Sequence, residues 1–319
     1  MKKKVVIALG GNAILQPGQK GTYEEQIDNI EVACREIAEL VKKGFQIVIT
    51  HGNGPQVGNI LIQNEEGAKR VPKMPLDVCG AQSQGMIGYM IQQKLRKILI
   101  RNGYNNEITT IITQVVVDKN DPSFQNPSKP VGPFYSEEKA KIEIAKGESW
   151  IEDAGRGWRK VVPSPEPKTI VEANIIKKVV QDEVIVIASG GGGIPVVEEG
   201  KDIYLGIDAV IDKDLAGQRL AVDIEADIFV ILTDVSGVAI NYKKDNETWL
   251  RNITLDEVNL YEDEGHFRQG SMGPKVRACK RFVEITNKPA IISSLDKLVD
   301  AVEGKAGTRI IPDASEKTS

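Results

Sequence analysis

Val5-Val6-Ile7-Ala8-Leu9-Gly10-Gly11-Asn12 lies at the start of the chain, and its reading decides the fold. A continuous apolar run rich in β-branched residues and cut off by paired glycines predicts a strand covered on both faces. The following segments repeat that logic. Thr22 and Glu25 have capping-box spacing, Ile27, Ile30, Cys34, Ile37 and Val41 recur at helical intervals, and Gly44 ends the run. A second buried strand is expected from Gln46 to Thr50, ahead of His51-Gly52-Asn53-Gly54. Helical character runs from about Ala81 to Leu99, and another strand is expected from Ile108 to Val117. Alternating strands and helices imply right-handed crossovers and a largely parallel sheet, hence an α/β fold.

The pattern changes between about 118 and 167, where Pro122, Pro127, Pro130, Pro133, Pro163, Pro165 and Pro167 are interspersed with charged and aromatic residues. An insertion of this length is expected to be a functional lid or subdomain. The α/β pattern then resumes. Val184 to Ala188 runs into four glycines, Gly190 to Gly193, and Ile228 to Leu232 runs into Asp234. Thr254 and Glu257 form another capping box, a helix is expected from about Pro274 to Ile285, and a strand near Ala290 to Ile292.

The chain has 319 residues, 41% hydrophobic and 27% charged, which is the balance of a globular protein of about two domains or one large one. A formal net charge of −4 disfavours a nucleic-acid partner, which demands a basic face. Cys34, Cys79 and Cys279 are dispersed, as reduced structural thiols of a cytoplasmic protein would be. Lys2-Lys3-Lys4 is basic, but the apolar run behind it is too short for a signal peptide. No stretch approaches the roughly 20 apolar residues of a membrane span, so no membrane association is expected.

Three predicted strands end in glycine-rich turns: Gly10-Gly11-Asn12, Gly52-Asn53-Gly54 and Gly190 to Gly193. Ligands of open α/β sheets bind outside the carboxyl ends of the strands, and glycine lets backbone amides approach an anion. Together the turns point to an enzyme that handles phosphate. Neither a P-loop nor a dinucleotide fingerprint is present, so positive charge must come from scattered lysines. Lys275 follows Pro274 in the first turn of its helix, where a cation opposes the helix dipole unless an anion is bound nearby. Lys213 begins another helical pattern. Asp214 either orients Lys213 and Lys275 or caps that helix. His51 reads as a hydrogen-bonded structural group, and His266 as exposed. No Ser/His/Asp or metal-ligand spacing stands out. The chemistry therefore needs charge stabilisation more than a general base, as in phosphoryl transfer to an anionic acceptor.

Several segments together resemble the amino acid kinase superfamily, and within it the carbamate kinases, over essentially the whole chain. They are Ala8-Leu9-Gly10-Gly11-Asn12-Ala13, the run from His51 to Gly58, Pro127 to Tyr135, Arg156 to Pro165, Ala209 to Asp214, Leu232 to Val235, and Gly270-Ser271-Met272-Gly273-Pro274-Lys275. The resemblance implies a three-layer αβα fold with a mainly parallel central sheet and a protruding inserted subdomain. It implies the reaction ATP + carbamate ⇌ ADP + carbamoyl phosphate, with Mg²⁺ accompanying the nucleotide through unassigned ligands. Flux towards ATP in arginine fermentation and a homodimer are further implications. Residues 1–219 would carry the acceptor side and residues 220–319 the nucleotide side. Gly10, Gly11 and Asn12 would hold phosphate, Gly52 and Asn53 would face carbamate, and Lys213 and Lys275 would neutralise the transferring group under the control of Asp214. Asp234, Val235, Met272 and Pro274 would line the nucleotide site, and Arg156 or Arg159 would bind substrate.

Many members of the superfamily carry a lysine two residues before the first glycine of the Gly-Gly turn. Here that position is Ala8. Lys129, in the insertion, is the candidate to supply the missing charge, which would make the insertion a lid. Two rivals stay open: an acylphosphate-forming kinase acting on an amino-acid carboxylate, and a nucleotide-binding regulator without catalysis.

Overall fold

The computed structural model describes residues 2–153, 155–267 and 272–313. Among them, eight strands form one sheet in the order Asn252–Thr254, Thr308–Ile311, Ala290–Ser294, Ile228–Thr233, Lys4–Leu9, Gln46–His51, Ile185–Ile187, Ile108–Thr110. Every pairing is parallel except that between Ala290–Ser294 and Thr308–Ile311. The opening run, Lys4–Leu9, is buried along its whole length and sits in the middle of the sheet.

Strand side chains alternate between two cores, because successive residues point to opposite faces. Val5, Ile7 and Leu9 pack with Ile30, Ile37 and Leu40 of helix Tyr23–Lys42 and with Ile87, Ile91 and Leu95 of helix Leu76–Arg101. Val6 and Ala8 face Leu215 and Leu220 of helix Lys213–Asp223, and Val276 and Phe282 of helix Met272–Thr286. Each fully buried Val, Leu, Ile or Phe among them contributes about 1.5–3 kcal/mol. Helix, sheet and helix layers result, as expected. Both capping boxes form, at Thr22–Glu25 and Thr254–Glu257.

Two expectations need correction. The run from Ile108 to Val117 is not one strand: Ile108–Thr110 belongs to the central sheet, and Gln114–Val116 to a four-stranded sheet beside it. The break falls at buried Thr113, whose backbone binds the Gln84 side chain through both its N–H and its carbonyl, and whose hydroxyl accepts from Ser189 N–H. Pro274 is the third residue of its helix rather than the first, though it still lies in the turn where amides have no intrahelical partner.

The insertion is a three-stranded antiparallel sheet, with Lys129–Tyr135 against Trp158–Val162 and that strand against Trp150–Glu152, plus helix Glu137–Ala145. It rests on helix Gly54–Gly67, where Tyr135 donates to Glu65 at 2.9 Å. Glu166 at its base pairs with Arg281 at 2.5 Å, tying it to the helix that carries Lys275.

Candidate active site

Register brings the site together. Leu9 lies opposite Leu232 on one side and His51 on the other. The residues that follow these three positions, Gly10–Asn12, Thr233–Asp234 and Gly52–Asn53, therefore emerge side by side. Gly10 spends its N–H on the Leu232 carbonyl at 3.0 Å, and a Cβ there would stand 2.8 Å from that oxygen. The role of Gly10 is thus close approach. Gly11 faces open space. Asn12 donates to Asp234 at 3.2 Å. At Gly52 a Cβ would stand 3.2 Å from Lys213 Cδ and 3.3 Å from Gly11 N, so Gly52 is the gap through which Lys213 reaches the turn.

Asp212 caps helix Lys213–Asp223, one carboxylate oxygen accepting from the N–H groups of Asp214 and Leu215. The other oxygen accepts from Lys129 Nζ at 3.2 Å. Burial pushes the Asp212 carboxyl up, but Lys129 and Lys213 outweigh it and hold the group below the usual range. With the cap assigned to Asp212, Asp214 is free to bridge. Its Oδ1 lies 2.8 Å from Lys213 Nζ and its Oδ2 3.1 Å from Lys275 Nζ. Asp214 and Lys275 are both buried, while the Lys213 side chain is about a quarter exposed, at 24%. Three ammonium groups, those of Lys129, Lys213 and Lys275, thus share the two carboxylates of Asp212 and Asp214. The surplus is positive, and the Asp214–Lys275 pair at its centre lies where screening is weak.

Gly10, Gly11, Asn12, Lys213, Asp234 and Lys275 line one cleft of about 430 Å³. Thr233 and Asp234 also border a second cleft of about 540 Å³, walled by Val235, Tyr242, Trp249, His266, Phe267 and Met272. Together they make a trough with a cationic end and an aromatic end. That suits a ligand with a polyphosphate and a planar ring.

A sequence model described as the amino acid kinase family matches residues 3–294. The chain belongs to that family. Among its relatives are the carbamate kinases of Thermococcus kodakarensis, 58% identical over 314 residues, and Pyrococcus furiosus, 57% identical over 316 residues. The alignments cover 97% and 98% of this chain and 99% and 100% of those proteins. Carbamate kinase from Giardia lamblia, solved bound to AMP-PNP, superimposes with a TM-score of 0.94 at 51% identity, covering 98% of this chain and 99% of that one. UMP kinase from Bacillus anthracis shares the fold alone, with a TM-score of 0.53 at 17% identity. Within the amino acid kinase family this chain groups with the carbamate kinases.

Not every expected residue of this amino acid kinase lies at the trough. Arg156 and Arg159 both grip Asp153, at 2.8 and 3.3 Å, and flank the Phe134 ring inside the insertion. Arg159 also donates to the Gly132 carbonyl at 3.0 Å. Pro274 lies in the helix turn behind Met272, not on the wall of either cleft. Gly270 and Ser271 lie outside the described residues.

The third glycine turn is not an open cradle. A Cβ at Gly190, Gly191, Gly192 or Gly193 would stand within 2.4 Å of His51, Asn53, the Ile211 carbonyl or Val115 respectively. Gly191 to Gly193 also hold positive φ. These glycines are spent on packing, and they back the Asn53 and His51 side chains. His51 Nδ1–H donates to the Gly52 carbonyl at 2.9 Å, and burial pulls its pKa down to about 4, so the ring is neutral and structural. His266, expected to be exposed, is only 18% exposed and walls the aromatic cleft beside Phe267. Sequence reasoning missed Tyr242, Trp249 and Phe267 because they share no motif. The cap position of Asp212, immediately before Lys213, was a readable signal for its role.

Proposed function

We propose that the trough binds ATP and carbamate and runs ATP + carbamate ⇌ ADP + carbamoyl phosphate. A carbamate oxygen attacks the γ-phosphorus, the bond from that phosphorus to the β,γ-bridging oxygen breaks, and its electron pair leaves with ADP. The acceptor arrives already anionic, so no base is needed. Charge must instead be offset as it moves between the oxygens. The single observation that carries this reading is the Lys213–Asp214–Lys275 bridge, set across a glycine gap from the Gly10–Gly11 turn.

Gly11 and Asn12 hold the phosphoryl group, and Lys213 and Lys275 neutralise its charge while Asp214 keeps the two ammonium groups together. Gly52 and Asn53 take the carbamate. Lys129 brings a third cation from the insertion, in place of the lysine absent at position 8, and the insertion acts as a lid. Arg156 or Arg159 reaches the substrate only if the insertion closes and the Asp153 pairs rearrange. Val235 and Met272 hold the base. Residues 1–219 present the acceptor and residues 220–319 the nucleotide.

Among the described residues no three His, Cys, Asp or Glu side chains converge as a metal site. A magnesium ion accompanying the nucleotide would sit at its phosphates, with Asp234 as a carboxylate that borders both clefts. Magnesium, when bound, would offset phosphate charge. A cytoplasmic homodimer working towards ATP in arginine breakdown completes the reading. Among the described residues no helix is long and apolar enough to cross a membrane.

The test is ATP formation from ADP and carbamoyl phosphate. If the chain instead phosphorylated only an amino-acid carboxylate, the carbamate assignment would be wrong; nucleotide binding with no turnover on either acceptor would favour a regulator.

A further inference from the structure

Asn53 stands at the start of helix Gly54–Gly67 but does not cap it with its side chain. Its amide lies against Gly191, where a Cβ would fall 2.1 Å from Nδ2 and 2.5 Å from Oδ1. Gly191 thus covers one side of the amide, and the choice to settle is between its two flipped orientations. One neighbour decides between them. Ser83, fully buried on helix Leu76–Arg101, has its Oγ 2.8 Å from the Asn53 amide and 2.7 Å from the Gly80 carbonyl oxygen.

A hydroxyl has a single proton. Two oxygens 2.7 Å apart repel unless a proton lies between them, so the Ser83 proton belongs to the Gly80 carbonyl. Ser83 can then only accept from Asn53, which fixes Nδ2 towards the helix. Asn53 Oδ1 has no partner among the described residues, and the residue is only partly buried. An acceptor is thus left facing outward next to Gly52, which borders Lys213 and the Gly11 turn.

We infer that Ser83 is a positioning residue: it holds Asn53 Oδ1 outward as an acceptor for the amino group of the acceptor substrate. This rests on the carbamate reading above. Carbamate carries N–H donors beside its carboxylate, whereas acetate carries a methyl group there. Ser83 therefore acts through Asn53 to favour carbamoyl over acetyl transfer. A wrongly flipped Asn53 would set Oδ1 against the Ser83 lone pairs, and that bias vanishes when the hydroxyl is removed.

The experiment compares ADP phosphorylation by carbamoyl phosphate and by acetyl phosphate in wild type, Ser83→Ala, Ser83→Cys and Ser83→Thr. For Ser83→Ala and Ser83→Cys, kcat/KM for carbamoyl phosphate should fall about tenfold, the scale of one lost hydrogen-bond preference, while that for acetyl phosphate stays within about twofold. Ser83→Thr keeps the hydroxyl and should restore the ratio. Equal losses on both donors, or no loss on either, would overturn the role of Ser83 while leaving the carbamate reading intact. A wild-type protein inactive on carbamoyl phosphate would overturn both. Thermal melting of each variant identifies any that fails to fold, and the Cys and Ala variants check each other.

Discussion

Substituting Asp214 by asparagine tests the centre of the site. The change keeps the shape of the side chain and removes its charge. It leaves the Lys275 ammonium, 7% exposed, without its carboxylate, and the Lys213 ammonium, 24% exposed, likewise. Breaking a buried pair from one side costs about 3–5 kcal/mol. Lys213 can turn towards water, so the lower end, ~3 kcal/mol, applies. For a chain of this size that corresponds to a drop in Tm of about 4–5 °C. Turnover from ADP and carbamoyl phosphate should fall about 10²-fold, since the cations lose their fixed geometry. Nucleotide binding should not weaken, because the site has become more positive. Pyrophosphate or ATP supplies the missing anion, so either should raise Tm more in the variant than in wild type. Differential scanning fluorimetry with and without ligand, beside a coupled ATP assay, measures all three. A variant melting within about 1 °C of wild type, with near-normal turnover, would refute the bridge as the organiser of the two lysines.

Other substitutions probe the surroundings. Lys129→Ala removes a pair that is 39% exposed on the lysine side, so stability should change by under about 1 kcal/mol while turnover falls about 10²-fold; retained turnover would dismiss the insertion as a source of catalytic charge. Gly191→Ala places a Cβ against the Asn53 amide at a φ of +68°, costing about 1–3 kcal/mol of strain, and should cut kcat/KM for carbamoyl phosphate while KM for ADP holds. A matching rise in KM for ADP would show that the turn serves the nucleotide instead. His51 has a pKa of about 4 when folded and about 6.5 when unfolded, so protons favour the unfolded chain. Its stabilising contribution is whole above pH ~6.5 and falls with pH down to ~4, with about 2 kcal/mol lost by pH 5. Urea unfolding at pH 7.5 and pH 5 should show this loss in wild type and not in His51→Gln.

Most of the central sheet was legible because its strands are short apolar runs stopped by glycine or a polar turn, but Asn252–Thr254 and Thr308–Ile311 were not. Val5 to Leu9 reads as a buried strand because both its faces are covered, and the two capping boxes mark helix starts directly. Ile108 to Val117 misled because its hydrophobicity is continuous, and only contact with Gln84 and Ser189 breaks it at Thr113. Lys213, Asp214 and Lys275 were individually visible from their places at helix starts. Their bridge was not, since Asp214 and Lys275 stand 61 residues apart and meet only through the packing of two helices. The four glycines looked like a phosphate turn for the same local reasons as Gly10–Gly11. What separates the two turns is which side chains lie against them, and spacing in one chain does not encode that.

The position of the first strand has a consequence for how the molecule is made. Lys4–Leu9 is synthesised before the strands it pairs with, yet one of those is Ile228–Thr233, and a cation beside its turn is Lys275. Pairing across such separations is slow, because a long loop must close before any contact rewards it. The glycine turn therefore stays without its charged partners until most of the polypeptide exists. A nascent chain carries the opening motif long before it can act on a phosphate, and any arrest of synthesis short of helix Met272–Thr286 leaves a fragment without Lys275.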